Sequence, residues 1–242
     1  MPRVIKTAAE RKDELVDCAQ ALFFAKGYEA TTIADIIARA GLSKGAFYHH
    51  FESKEDLLDA LTARITRTMI AAARDILEDE KLDALTRLNR FMARGGEWKR
   101  EAAPMLGAIY ASVFKPENAV LYQRMVNAAI VAITPALTGI IEQGRREGAF
   151  DVADSQIVAE ILIHLSNARQ AVMADAMQAT AEGDVDHAVE VLEKRLGVEQ
   201  RIIDRILGVP EGSVRLYEPG YLHAVLTLMA KANAAGAAKS AA

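Results

Sequence analysis

Between positions 40 and 51 the chain reads Ala40-Gly41-Leu42-Ser43-Lys44-Gly45-Ala46-Phe47-Tyr48-His49-His50-Phe51. An ammonium, two adjacent imidazoles and a phenol are interleaved here with two phenylalanines. Such groups can bind phosphate oxygens with their cations and hydroxyls while the apolar rings anchor the segment to a core. Metal binding is the competing chemistry for His49 and His50. Adjacent residues on a helix point about 100° apart, and no cysteine or aspartate cluster joins the pair. A metal site is therefore not expected, and nothing in the chain calls for a cofactor.

The flanking sequence supplies the elements that position this stretch. Leu15, Cys18, Ala19, Leu22 and Phe23 recur at i, i+3, i+4, i+7 and i+8, the buried stripe of a first helix. Gly27 supplies its stop. Thr31 and Thr32 offer N-caps for a second helix, with Asp35 placed as in a capping box, and Ile33, Ile36, Ile37 and Ala40 on its inner face. Gly41 ends it and Ser43 caps a third. Ser53, with Glu55 and Asp56 in the first turn, starts a fourth. That helix carries Leu57, Leu58, Leu61, Ile65 and Met69 inward and is expected to run to about Glu80. Two short helices joined around a glycine are a helix-turn-helix, whose second helix enters the major groove of DNA. Here that helix spans 43–50. Leu42, Phe47 and Phe51 pack it down, leaving Lys44, Gly45, Ala46, Tyr48, His49 and His50 for DNA. Gly45 and Ala46 contribute by being small.

Composition narrows the function classes. A length of 242 residues, 51% hydrophobic and 26% charged, suits folded domains with a sizeable core. The net charge of -4 excludes a general nucleic-acid coat, so a basic function must be local. The single cysteine, Cys18, permits no intrachain disulfide and fits a reducing compartment. The apolar run from 128 to 141 is too short to span a bilayer and reads as a buried helix. The expected location is cytoplasmic, with no membrane partner. The chain has no glycine-rich phosphate loop, no nucleophile elbow, no paired metal-ligand motif and no Glu-x-x-His repeats, so it is not read as an enzyme.

Residues 10 to 65 resemble the DNA-binding domain of the tetracycline-repressor (TetR) family of bacterial transcription regulators. The resemblance rests on Ala21-Leu22-Phe23 with Gly27-Tyr28, on Thr31-Thr32-Ile33 through Ile36–Ala38, and above all on 41–51 followed by Ser53-Lys54-Glu55-Asp56-Leu57-Leu58. It implies an all-α fold with a helix-turn-helix domain at 10–70 and a helical effector-binding and dimerisation domain at 71–235. It implies that Thr32 bonds a phosphate through its hydroxyl or amide, and that Ser43, Lys44 and Gly45 sit at the recognition-helix N-terminus, where phosphate is favoured. Tyr48 and His50 would contact phosphates, His49 a base edge or phosphate, and Lys54 would clamp the backbone. Tyr48 can alternatively pack, and Lys54 can be a solvated helix-start lysine. Arg3, Lys6, Arg11 and Lys12 against Glu10 could reach a minor groove or remain a tail.

In the second domain helices are expected at 82–100, 102–115, 117–147, 154–182, 185–208 and 219–234, with Pro135 kinking the third of these. The segments 154–182 and 185–208 are the family's dimer element, the latter with a stripe of Val189, Leu192, Leu196, Ile203 and Ile206; the alternative places them in the core. Trp98, Met105, Tyr110, Phe114 and Tyr122 fall where the family builds its ligand pocket, and His164 and Arg169 could bind a polar effector group. The implied function is a ligand-responsive regulator, a repressor released from a palindromic operator by a small-molecule effector. An activator or a DNA-binding protein without ligand gating stays open. A homodimer is expected because one short recognition helix touches too few bases.

Overall fold

The structure, a computed structural model, describes residues 7–103 and 118–240. Among them every regular element is a helix: α1 (Ala8–Lys26), α2 (Ile33–Ala40), α3 (Lys44–Tyr48), α4 (Lys54–Ala71), α5 (Arg74–Glu78), α6 (Ala84–Glu101), α7 (Ala119–Glu147), α8 (Ser155–Asn167), α9 (Gln170–Glu182), α10 (Val185–Leu207) and α11 (Tyr221–Ser240). Met105, Tyr110 and Phe114, Arg3 and Lys6, and most of the helix expected at 102–115 lie outside the described residues.

Side-chain caps set the starts of the first helices. Thr7 with Glu10 and Thr32 with Asp35 form reciprocal capping boxes on α1 and α2. Ser43 and Ser53 accept from the amides of Ala46 and Asp56. Each satisfies an amide that a helix start leaves unpaired. Leu15, Ala19 and Phe23 of α1, Ile36 of α2, Phe47 of α3 and Leu57, Leu58 and Leu61 of α4 close one core.

That core does not stop at the first four helices. Leu121 and Tyr122 of α7 are buried in it, with Met125 and Val126 packed alongside. The boundary expected near residue 70 is thus bridged by a helix from the second half. A second core gathers Leu88 and Phe91 of α6, Leu137, Ile140 and Ile141 of α7, Leu162 of α8, and Ile203 and Leu207 of α10. A third joins Ala176 and Ala179 of α9, Leu192 and Leu196 of α10, and Leu222 and Leu226 of α11.

Two expected helices are divided. The fourth ends at Ala71 rather than near Glu80, and α5 follows. Arg94 of α6 donates to the Ala72 carbonyl at 2.5 Å and pairs with Asp75 at 3.2 Å, so a side chain takes a carbonyl that the helix would otherwise use. The helix expected at 154–182 is α8 and α9, parted at 168–169. Arg169 sits at that break, 2.6 Å from Glu199, which α10 buries. The helix α7 continues through Pro135, and Thr134 there bonds back to the Ile130 carbonyl at 2.8 Å. At 29 residues α7 is long and apolar enough to cross a membrane. The apolar run alone understated its length, and in the fold it packs along α4, α6 and α8.

Candidate nucleic-acid interface

The turn between α2 and α3 depends on Gly41, whose φ of 63° and ψ of 31° lie in the left-handed region that favours glycine. Its amide and that of Leu42 close the end of α2 on Ala38 and Ile37. The chain then re-enters a helix at once, with Ser43 as N-cap. The recognition helix is short: α3 spans Lys44–Tyr48, and His50 and Phe51 continue it as a turn bonded to the Phe47 carbonyl. Phe47 is fully buried and Phe51 nearly so, their rings 6.1 Å apart. These two anchors fix which face looks outward.

That outward face carries Ser43, Lys44, Gly45, Tyr48 and His49, all exposed, with His50 half-buried at its edge. The Lys44 ammonium lies 5.9 Å from the centre of the Tyr48 ring, and the rings of His49 and His50 meet edge-on at 4.9 Å. Lys12 of α1 reaches over Phe51 at 5.4 Å and so joins the same surface. Burial, His49 and Lys12 together lower the His50 pKa. Imidazoles beside lysines and a phenol make a surface suited to phosphate oxygens.

Two residues expected to touch phosphate are engaged within the fold. The Thr32 amide and hydroxyl both donate to Asp35, at 2.8 and 2.7 Å. Asp35 also pairs with Lys26 at 2.7 Å, and these bonds hold its carboxyl well below the usual range. A phosphate reaching Thr32 has to displace that carboxylate. Lys54 donates to the carbonyls of Tyr28 and Thr31 at 2.9 and 3.0 Å and lies 4.1 Å from the centre of the Tyr28 ring. It ties the start of α4 to the loop entering α2, which leaves one of its three donors for DNA.

Sequence reasoning missed Arg124. From α7 it bonds Asp56 at 2.6 Å and Asp59 at 2.7 Å, both on α4. Burial opposes the charge on Asp56, but Arg124 and the Ser53 cap outweigh it and hold the carboxyl low. Asn118 adds a 2.6 Å bond to Glu29. No local motif marks Arg124, because its partners lie far away in sequence.

Of the residues expected to bind an effector, Tyr122 lies in the first core and Arg169 stands at the break between α8 and α9, beside Glu199. Tyr122 is buried; burial raises its pKa, with Arg169 and Glu199 acting on it electrostatically. Trp98 packs half-buried on the third core. His164 stands apart, lining an open cleft of about 520 Å³ with Val131, Pro135 and Glu160. The stripe expected to face a second subunit is corrected: Leu192, Leu196 and Ile203 pack inside the chain. The apolar residues that α8 and α10 do expose are Ile157, Ile161, Val198 and Ile202, between 36% and 56% accessible.

Residues 15–61 match the family model described as bacterial regulatory proteins, tetR family. The chain is 40% identical over 94 residues to the HTH-type transcriptional repressor KstR2 of Mycobacterium tuberculosis, a match covering 38% of this chain and 46% of that protein. The matched region thus spans less than half the length of that relative. In fold the chain is similar to a TetR-family regulator from Syntrophomonas wolfei (TM-score 0.56, 23% identity, 81% of this chain and 96% of that one). It is also similar to Thermus thermophilus FadR, a TetR-family repressor solved with lauroyl-CoA (TM-score 0.57, 17% identity, 78% and 93%). A capped helix-turn-helix, held by Phe47 and Phe51, together with that match identifies residues 15–61 as a DNA-binding domain of the kind found in bacterial regulatory proteins of the TetR family.

Proposed function

We propose that this chain is a ligand-responsive repressor that binds a palindromic operator in the cytoplasm as a homodimer. The observation that carries this reading is the outward face of α3, where Ser43, Lys44, Gly45, Tyr48 and His49 are exposed over two buried phenylalanines. A net charge of -4 leaves DNA affinity to such a local surface. His50 and the third donor of Lys54 supplement it, and Thr32 joins where phosphate replaces Asp35. KstR2 and FadR being named repressors supports the sign of regulation.

The dimer is formed through Ile157, Ile161, Val198 and Ile202. Each pair is spaced i, i+4 on its helix, and Gly197 beside them has open space in front of it. Four exposed β-branched side chains on two adjacent helices are a face that water disfavours, and pairing it with its copy makes a four-helix contact. The effector sits among α6, α7, α9 and α10. Its signal reaches DNA through α7, which packs Leu121 and Tyr122 into the first core and bonds α4 through Arg124, altering the spacing of the two recognition helices. Only a difference in effector affinity between the two spacings can drive that shift.

The test is sedimentation of the full chain together with footprinting on the DNA upstream of its own gene. The reading expects a dimer and two protected half-sites about one helical turn apart. Ile161→Glu with Ile202→Glu should give monomers that lose the footprint. A variant that stays dimeric, or a single unrepeated protected site, contradicts it.

A further inference from the structure

The open cleft between α7 and α8 measures about 520 Å³, a volume in the range that holds small organic ligands. One wall is the stretch of α7 from Ile130 to Thr138, and the other is Gln156, Glu160 and His164 of α8. The α8 residues form a single row at i, i+4 and i+8. That row is turned by about 60–100° around the helix from Ile157 and Ile161, so the cleft lies beside the proposed subunit contact and not on it.

Three acceptors in this cleft lack donors that the fold would ordinarily supply. Thr134 takes the usual option of a helical threonine and bonds back to the Ile130 carbonyl at 2.8 Å. Thr138, one turn later, does not: its Oγ1 is buried and has no hydrogen-bond partner among the described residues, and buried hydroxyls are normally paired. Between them stands Pro135, inside α7. Proline has no N–H, so the carbonyl of Val131, four residues earlier, loses its helical donor. The third acceptor is Glu160, half-buried, whose Oε1 accepts from Gln156 at 3.0 Å. No lysine or arginine lines the cleft. The remaining surface is apolar, from Ile130, Pro135 and Val131, the last 78% accessible.

A carboxylate beside two unfilled acceptors calls for a ligand head with positive charge and several N–H donors. An anion would meet repulsion from Glu160, and an alcohol brings a single donor. His164 is the one lining side chain that can become cationic, and the ligand's charge is set against Glu160, one turn before it. We propose that this cleft is a binding site for an amphipathic primary ammonium. Glu160 holds its charge, the Thr138 hydroxyl and the Val131 carbonyl accept its other N–H bonds, and its apolar body lies on Ile130, Val131 and Pro135. The site is separate from the effector region among α6, α7, α9 and α10, and it stands or falls independently of the ligand-responsive reading above.

The test uses the full-length chain, calorimetry, and four probes that share one decyl chain, each below its aggregation concentration: decylammonium, decyltrimethylammonium, decanol and decanoate. Methyl NMR signals of Ile130 and Val131 report whether a probe enters this cleft. Decylammonium should bind about 10-fold or more tightly than decanol, with decanoate weakest and the quaternary ammonium, which has charge but no N–H, between decylammonium and decanol. Glu160→Gln should remove the advantage of both cations over decanol. Glu218→Gln makes the same charge change in a separate cleft and should leave binding as it was. Thr138→Val keeps the shape of the side chain and removes the unpaired hydroxyl. It should hold or raise the Tm while weakening decylammonium about 3-fold or more and sparing decyltrimethylammonium. Equal binding of decylammonium and decanol overturns the proposal, as does methyl signals of Ile130 and Val131 that do not move. Equal losses in Glu160→Gln and Glu218→Gln reduce the effect to net charge and also overturn it. Decylammonium affinity unchanged in Thr138→Val overturns the assignment of the hydroxyl as an acceptor.

Discussion

The contact of Arg124 with α4 is a charged link between the two halves of the chain, and its strength can be worked from the structure. Arg124 bonds Asp56 at 2.6 Å and Asp59 at 2.7 Å, with a further 3.2 Å contact from Nε to Asp59. Hydrogen bonds to charged groups contribute about 1.5–3 kcal/mol each when well shielded. Here the three side chains are 33% to 37% accessible, so solvent screening brings each toward the about 1 kcal/mol upper range of exposed pairs. Arg124→Met keeps the aliphatic stem and should cost about 1–2 kcal/mol, a fall in Tm of about 2–8 °C for a chain of this size. Asp59→Asn alone should cost less, because Asp56 still holds the guanidinium. In a double-mutant cycle the two changes should couple by about 1 kcal/mol, falling at high salt. Thermal and urea unfolding of the four proteins measure this. A coupling below about 0.3 kcal/mol would refute the claim that this clamp joins α7 to the start of α4.

Phe47 is fully buried beneath the recognition helix, so Phe47→Ala should cost about 3–5 kcal/mol and abolish DNA binding, as read by denaturation and gel shift. Gly144 faces the buried Phe150 ring so closely that an added Cβ would lie 2.1 Å from a ring carbon; Gly144→Ala should lower stability by about 1–3 kcal/mol, and an unchanged Tm would contradict the packing. His50 has a pKa below the ordinary histidine value because of burial, His49 and Lys12. Its stabilising contribution is therefore present above the unfolded pKa near 6.5 and is lost as pH falls through the lower folded value. A phosphate reverses that balance by favouring the imidazolium. DNA affinity should rise as pH falls from 8 to 6, and His50→Gln should flatten the profile measured by anisotropy.

The readable parts of this molecule are local. Thr32 with Asp35, Gly41, Ser43 and Ser53 announced the turn and its flanking helices because caps and left-handed glycines act within a few residues. Phe47 and Phe51 at i, i+4 announced which face is buried. What the sequence did not disclose depends on distant partners. The carbonyl taken by Arg94 divides the helix after Ala71, and Arg169 stands where 154–182 breaks and reaches Glu199 on another helix. The apolar stripe of α10 pointed correctly to burial but not to its destination, since periodicity does not distinguish a subunit interior from a subunit interface.

The most direct test of the central claim is the salt dependence of binding to the DNA upstream of the chain's own gene. The full-length chain should bind that DNA in preference to a scrambled control, with log affinity falling steeply and linearly with log salt. Lys44→Ala removes one phosphate-facing charge per subunit and should reduce the slope by about 2 for a dimer, and adding Tyr48→Phe should weaken binding further without lowering Tm. A slope and affinity unchanged in the Lys44→Ala, Tyr48→Phe double variant would contradict the assignment of α3 as the DNA-contacting helix.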